Sequence, residues 1–199
     1  MKTWKMNKML FLLLALCMVF VTACADNAVP STGDGTEEEQ IVIAACMQGN
    51  QSGFIRYMTS GMYEYHEAHA PDVKLEVVFA DDDAAKQQGQ VENFVAQGVD
   101  AIILNPVDKV QSAAAVDFAA EAGIPVITIN TTSDSSNVTA HVGSDDIEAG
   151  VLQMERLLSV APESPKVAYI NAVLGHSAQV FREIGYKQVL DANPHATLV

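Results

Sequence analysis

The fold is decided by residues 84–108, AAKQQGQVENFVAQGVDAIILNPVD, in which a helical pattern is followed directly by a strand pattern. Apolar residues recur at helical spacing in the first part, and Gly98 is typical of a helix end. Ala101 to Leu104 form a continuous apolar run, which is typical of a parallel strand covered on both faces. The stretch therefore predicts one α/β unit whose strand leads into the polar residue Asn105.

The same alternation continues along the chain from Ile41. The pattern predicts strands at 41–45, 75–79, 101–104, 125–129, 140–142 and 166–170, and helices at 54–65, 84–97, 110–122, 147–158 and 177–192. Strict alternation predicts βαβ units, parallel sheets and the α/β class. Residues 196–199 resemble the start of one more strand. We therefore expect a truncated chain, with an N-terminal α/β lobe at 41–144 and a partial second lobe at 145–199.

The N-terminus has the pattern of a secretory signal, predicted to cover residues 1–23. Three lysines precede an apolar run from Met9 to Val21, which is shorter than the roughly 20 residues that span a bilayer. Residues 21–24, Val-Thr-Ala-Cys, resemble a bacterial lipobox, in which Cys24 carries the lipid; the alternative is an ordinary signal peptide with a chance cysteine. Residues 24–40 are polar and predict a flexible linker. We expect a domain anchored by lipid outside the cytoplasm.

The net charge and the number of cysteines limit the ligands and the disulfides that we expect. A formal net charge of −14 argues against nucleic-acid binding, which needs basic surface, and disfavours a strongly anionic ligand. Of the three cysteines, Cys17 leaves with the signal and Cys24 would carry lipid. Cys46 alone remains, so we expect no disulfide within the domain.

Candidate binding residues follow the predicted strands, because ligands of parallel sheets bind beyond the carboxyl ends of the strands. The candidates are Ser52, Phe54, Asn105, Asn130, Thr131, His176, Gln179 and Arg182. Amide groups carry a donor and an acceptor and suit adjacent hydroxyls, a guanidinium offers a rigid donor fork, and a phenyl ring can lie against a sugar. The set predicts a monosaccharide or polyol ligand.

Each candidate also has a purely structural interpretation. Ser52 is equally suited to cap a helix, and Phe54 could be the first core residue of that helix. Asn105 and Asn130 could satisfy loop backbone, and Arg182 could lie on the surface. Residue types alone do not decide between these structural roles and contact with a ligand.

Sequence motifs for catalysis and metal binding are absent. Residues 49–53 lack the glycine spacing of dinucleotide and phosphate loops. His66 and His69 lie three apart on a predicted helix without further ligands, and Asp81–Asp83 lack the spacing of a calcium loop. We expect no enzymatic activity, no cofactor and no metal.

Four segments resemble the sugar-binding proteins of bacterial ABC importers, the group that binds ribose, galactose and related pentoses or inositols. The segments are residues 70–108, 122–127 (AGIPVI), 142–145 (VGSD) and 175–185 (GHSAQVFREIG). The resemblance implies a two-lobed type I periplasmic-binding-protein fold with doubly wound parallel sheets, a hinge near Ser144-Asp145 and an incomplete second lobe.

The resemblance also implies roles for residues of the first lobe. The position of Phe54 holds an aromatic residue that packs on the sugar, and Asn105 matches a ligand-binding asparagine. Ser52 departs from the usual Asn or Asp. Asn130 stands where an Asp often binds ring hydroxyls, and Thr131 where ribose binders have Arg, which argues against ribose.

In the second lobe, His176 and Arg182 match polar contacts of galactose-type members, and Gln179 lies beside them. The implied activity is capture of a sugar by closure of the lobes, followed by docking on permease subunits. A sensor subunit of the same fold is the alternative. A repressor is rejected because a signal peptide stands in place of its DNA-binding headpiece, and no carboxylate pair supports a sugar-modifying enzyme.

Overall fold

The computed structural model describes residues 40–199, and its larger sheet consists of five parallel strands. In chain order these are β1 (Val42–Met47), β2 (Lys74–Phe79), β3 (Ala101–Leu104), β4 (Val126–Ile129) and β5 (Ala140–Val142), and they lie side by side as β2-β1-β3-β4-β5. Central β1 pairs with both β2 and β3. The predicted α/β class with a parallel sheet is confirmed.

Five helices and a small second sheet complete the described chain. The helices are α1 (Gly53–His69), α2 (Ala84–Gln97), α3 (Ser112–Glu121), α4 (Asp146–Val160) and α5 (Ser177–Ala192), and the second sheet pairs β6 (Lys166–Val167) with β7 (Thr197–Leu198). The predicted bounds of α2 and α5 match at both ends. No helix within residues 40–199 has the length and apolarity to cross a membrane.

Helices cover both faces of the larger sheet. On one face, Val91 and Phe94 of α2 and Val116 of α3 pack against Ile102 and Leu104 in a fully buried cluster. On the other face, the helix that packs against the strands among residues 40–199 is α1. This is the doubly wound arrangement, and it explains why the strands read as continuous apolar runs rather than alternating ones.

The helical spacing of Phe54, Met58, Met62 and Tyr65 agrees in part with the face that α1 turns to the sheet, because Met58 and Met62 pack against the cluster there. Phe54 and Tyr65 lie away from the sheet, with exposed fractions of 60% and 66%. Ile55 and Thr59 are buried instead. The Thr59 hydroxyl donates to the Ile55 carbonyl oxygen at 2.9 Å, so this polar residue fits an apolar face without an unsatisfied group.

The strand predicted at 166–170 is much shorter in the structure. Only Lys166 and Val167 pair, because their partner β7 offers two residues, Thr197 and Leu198. Beyond Val167 the backbone has no neighbouring strand among the described residues, and Ile170 is fully exposed.

The region from Asp146 onward is held mainly by the packing of α4 on α5. Their backbones approach closely at two glycines: a Cβ atom at Gly150 would lie 2.3 Å from the Arg182 carbonyl oxygen, and one at Gly185 would lie 2.2 Å from the Ile147 carbonyl oxygen. We call residues 42–142 the sheet region and residues 146–198 the helix-pair region.

Some predictions on domain organisation stay predictions. The described residues fall within one compact unit, and the boundary between lobes at 144 and 145 stays a prediction. The signal peptide at 1–23, the lipid on Cys24 and almost all of the linker at 24–40 lie outside the described residues.

Candidate ligand-binding site

A cavity of about 360 Å³ lies between the strand ends of the sheet region and the first turns of α5. Its lining consists of Gln48, Ser52, Phe54, Ile55, Asn130, Ile170, Asn171, Ala172, His176, Ala178, Gln179, Arg182 and Tyr186. Six of the eight residues predicted as ligand contacts therefore line one cavity. Their contact with a ligand stays a prediction.

The start of α1 contributes a hydroxyl and a phenyl ring to this cavity. Ser52 occupies the N-cap position, yet its side chain accepts no capping hydrogen bond, so its hydroxyl is free for another partner. Phe54 lies in the first turn and is mostly exposed, although large apolar side chains are usually buried. An exposed ring at the edge of a polar cavity can pack on the apolar face of a ligand.

Asn130 enters the cavity from the end of β4 through an unusual backbone conformation. Its φ is +61°, in the left-handed region that asparagine tolerates better than most residues. Its backbone N–H donates to the Val142 carbonyl oxygen at 2.8 Å, which fixes the turn against β5. The amide side chain of Asn130 lines the cavity at this turn.

Three predicted residues line the cavity from α5. His176 is the N-cap, and Gln179 and Arg182 follow at intervals of three, so all three share one side of the helix. His176 Nε2 lies 2.7 Å from Gln48 Oε1, which links α5 to the end of β1. Gln179 also donates to Glu183 at 2.9 Å.

His176 is held in an environment that favours its neutral form. Burial lowers the pKa of His176 below its usual value of 6.5, and the Arg182 guanidinium lowers the pKa further, while Asp146 and Asp82 oppose the change. A neutral ring with hydrogen on Nε2 donates to Gln48 Oε1. The ring therefore contributes hydrogen bonding rather than charge to the cavity at neutral pH.

Asn105 and Thr131, the other two predicted residues, lie outside the cavity lining. Both are fully buried. Asn105 Nδ2 donates to Thr131 Oγ1 at 2.8 Å and to the Ile129 carbonyl oxygen at 3.1 Å. Thr131 Oγ1 donates to the Pro106 carbonyl oxygen at 2.9 Å. In this structure the pair ties the end of β3 to the end of β4, in line with the structural interpretation of Asn105.

Three polar lining residues were missed as candidates, and for two of them the sequence position gave a signal. Gln48 directly follows β1, the position that identified the other strand-end residues. Tyr186 lies four residues after Arg182 and so shares its helix face. Asn171 follows residues predicted as strand, and its position depends on the early end of β6.

Two hydrogen bonds donated by backbone N–H groups of the sheet region join it to the helix-pair region beside the cavity. The Lys109 N–H donates to the Gly175 carbonyl oxygen at 2.8 Å, and the Thr132 N–H donates to Ser177 Oγ at 2.9 Å. Gly175 has φ +88°, and a Cβ atom there would collide with Asp108. Glycine is therefore required at this contact.

The cavity offers hydrogen bonding and little net charge. Arg182 is the only residue among the described lining with a permanent charge. Within residues 40–199, no three His, Cys, Asp or Glu side chains are grouped to hold a metal ion. Burial raises the pKa of Cys46 to about 12, so this thiol lacks the thiolate character of a nucleophile. The arrangement suits reversible binding of a hydroxylated molecule.

Comparisons with known proteins place this geometry in context. The model of a periplasmic binding protein domain matches residues 43–199. The chain is 30% identical over 190 residues to the ribose import binding protein of Bacillus subtilis (strain 168), which covers 94% of this chain and 61% of that protein. It is also 30% identical over 145 residues to a xylitol-binding protein of Mycolicibacterium smegmatis, covering 73% and 41% of the two chains.

A solved structure supports the same relationship. An ABC transporter solute binding protein from Bacillus halodurans C-125, with bound myo-inositol, superposes with a TM-score of 0.73 at 36% identity. The superposition covers 82% of this chain and 57% of that one. The chain thus spans about half the length of the proteins that it matches.

Proposed function

This chain belongs to the periplasmic binding protein family, and from that premise we propose that it captures a neutral sugar or polyol outside the cytoplasm for an ABC-type importer. The observation that carries the proposal is the cavity beside α5, where amides, a hydroxyl and an exposed phenyl ring converge. Amides supply paired donors and acceptors to neighbouring hydroxyls, and the ring supplies an apolar surface.

The relatives support a polyhydroxylated ligand. The relatives named above are a ribose import binding protein, a xylitol-binding protein and a solute binding protein with bound myo-inositol. We favour a ligand other than ribose, because the position of Thr131, where the ribose binders of the family have arginine, holds a buried hydroxyl that donates to Pro106. No covalent chemistry is assigned to the site.

Closure of two lobes about a hinge at Ser144-Asp145 is the proposed route from binding to transport. The contacts of Lys109 with Gly175 and of Thr132 with Ser177 are the kind of bond that closure would form. The closed form would then dock on permease subunits. A sensor subunit of the same fold is the alternative, and loss of sugar uptake in a deletion strain, with sugar-dependent signalling intact, distinguishes the importer.

The ligand is tested with a thermal-shift screen of neutral sugars and polyols on the purified full-length protein. A ligand present at about 100 times its Kd stabilises the folded state by about 2.7 kcal/mol, which raises the Tm. Arg182→Ala should abolish the shift, because it removes the donor fork from the cavity. Arg156→Ala is the matched control, since Arg156 is exposed on α4 and outside the cavity lining. A shift that survives Arg182→Ala contradicts the proposed site.

Lipid attachment at Cys24 is proposed from the lipobox pattern alone. Cys24→Ala should move the protein from the membrane fraction to the soluble fraction and stop incorporation of labelled fatty acid. Cys46→Ala is the control, because Cys46 is buried in the sheet region. Unchanged fatty-acid labelling of Cys24→Ala would reject the anchor.

A further inference from the structure

Arg182 is held at its Nε atom rather than at its terminal nitrogens. Its Nε donates to Asp146 Oδ1 at 2.9 Å, and the carboxylate belongs to the first residue of α4. Within residues 40–199 the guanidinium has no other hydrogen-bonding partner. The two terminal amino groups therefore stay available on the side of the cavity that Arg182 lines.

Asp146 itself lies outside the lining of this cavity, and only 7% of its surface is exposed. A buried carboxylate needs a partner, because burial of an unpaired charge is costly. Its position in the first turn of α4 supplies part of that compensation, since the positive end of the helix dipole lies there. The close approach of Gly150 to the Arg182 backbone keeps the two helices at the distance that the ion pair requires.

The pair has a consequence for the cavity as a whole. Arg182 is the only permanent charge among the described residues of the lining, and Asp146 balances it from behind. The cavity therefore presents a donor fork without a net positive charge. Such a fork suits hydroxyl oxygens, whereas a carboxylate or phosphate would meet the field of Asp146 as well as that of Arg182.

We propose that Asp146 is a positioning and specificity-determining residue, which orients the Arg182 fork into the cavity and makes it select uncharged hydroxylated ligands over their anionic counterparts. The inference rests on the proposed function, because it concerns the ligand of the same cavity. It assigns the selectivity to a residue that does not line the cavity.

The test compares matched neutral and anionic probes. D-galactose is paired with D-galacturonate, D-glucose with D-glucuronate, and myo-inositol with myo-inositol 1-phosphate, and Kd values are measured by calorimetry on the full-length protein. For the pair whose neutral member binds, Asp146→Asn should shift the affinity ratio toward the anion by roughly tenfold or more, because it leaves Arg182 uncompensated.

Asp145→Asn is the matched control. It removes one carboxylate from the same helix end, and asparagine still caps the helix where Asp145 now accepts from the Glu148 N–H. The control should keep the ratio of the unsubstituted protein. An unchanged ratio in Asp146→Asn, or an equal shift in both variants, overturns the inference. A merely structural role of Asp146 would weaken both members of a pair alike.

The unsubstituted protein gives a second measurement that does not depend on the folding of a variant. It should bind the neutral member of a pair roughly tenfold or more tighter than the anion. Tighter binding of the anion overturns the role of Asp146, while capture of a solute in this cavity would stand. If neither member of any pair binds, nor any other sugar or polyol of the thermal-shift screen, the proposed function fails and the inference falls with it.

Discussion

The sheet region and the helix-pair region are stabilised by different kinds of packing. In the sheet region, twelve buried residues form one cluster between the strands and the helices α2 and α3. In the helix-pair region the buried cluster has three members, Met154, Val167 and Val189. There the close backbone contact at Gly150 and Gly185 positions the helices. Burial of side chains therefore stabilises the sheet region, whereas close contact between helix backbones at two glycines positions the helices of the helix-pair region.

This difference matters for the cavity, because the two regions supply its opposite walls. The sheet region supplies strand ends that are braced by a large core. The helix-pair region supplies Arg182 from a helix whose placement depends on two glycines. We therefore expect mutations in the first region to change mainly stability, and mutations at the helix contact to change stability and binding together.

Leu104→Ala should cause the largest loss of stability. Leu104 is fully buried in the twelve-residue cluster, so its truncation should lower the free energy of unfolding by about 2–5 kcal/mol. Urea denaturation measures the loss. Leu157→Ala on α4 is the control, because Leu157 is 41% exposed and should cost clearly less. Equal losses of unfolding free energy in Leu104→Ala and Leu157→Ala would contradict the expected difference between the two regions.

Gly185→Ala should destabilise the helix pair by about 1–3 kcal/mol, because the added methyl group meets the backbone of α4. It should also weaken ligand binding, since α5 carries Arg182. Gly89→Ala on α2 is the control: nothing lies within 4 Å of a Cβ there, and alanine should stabilise that helix by about 0.5–1 kcal/mol. If ligand titration shows that Gly185→Ala binds with unchanged affinity, the link between the helix contact and binding is contradicted.

Asn105→Ala separates the structural role of Asn105 from the predicted ligand contact. Its loss leaves the Ile129 carbonyl oxygen without this donor and should cost about 1–3 kcal/mol in the ligand-free protein. Asn93→Ala, on the exposed side of α2, should have little effect in the same melts. The opposite pattern, with ligand-free stability intact and ligand affinity lost, would restore Asn105 as a direct contact.

His176 should make the contact between the two regions sensitive to pH. The folded pKa of His176 is lowered, whereas the unfolded side chain titrates near 6.5. Below about pH 6.5 the unfolded state therefore binds more protons, and stability falls as the pH falls toward the folded pKa. His176→Gln should remove this part of the dependence in thermal melts between pH 5 and 8. His195→Gln, at an exposed position, should retain it.

Much of the sheet region was predictable because its helix ends and apolar runs in the sequence agree with the way its helices and strands pack. Asp83 caps α2 by accepting from the Lys86 N–H, and Gly98 ends the helix with φ +71°, as the sequence indicates. Strand β3 follows at its predicted bounds. The strand-end rule selected Asn130 as a candidate, the family resemblance favoured Arg182, and both residues line one cavity in the structure.

Sequence reasoning misses structural detail where a residue's partner is distant in sequence. The length of β6 is set by β7, thirty residues later, so the apolar run after Lys166 could not reveal where pairing stops. Asn105 stays a predicted ligand contact, and its bond to Thr131, 26 residues later, could not be read from the sequence. The role of Asp146 depends on a helix that begins after residue 176.

The contacts of Lys109 with Gly175 and of Thr132 with Ser177 involve no residue of the cavity lining. For a protein that opens and closes, such contacts set the fraction of molecules already in the binding-competent state. Strengthening or weakening them multiplies the apparent affinity for every ligand by one common factor. Under the proposed closure, substitutions at these contacts would therefore change the concentration at which a ligand is captured without changing which ligand is preferred.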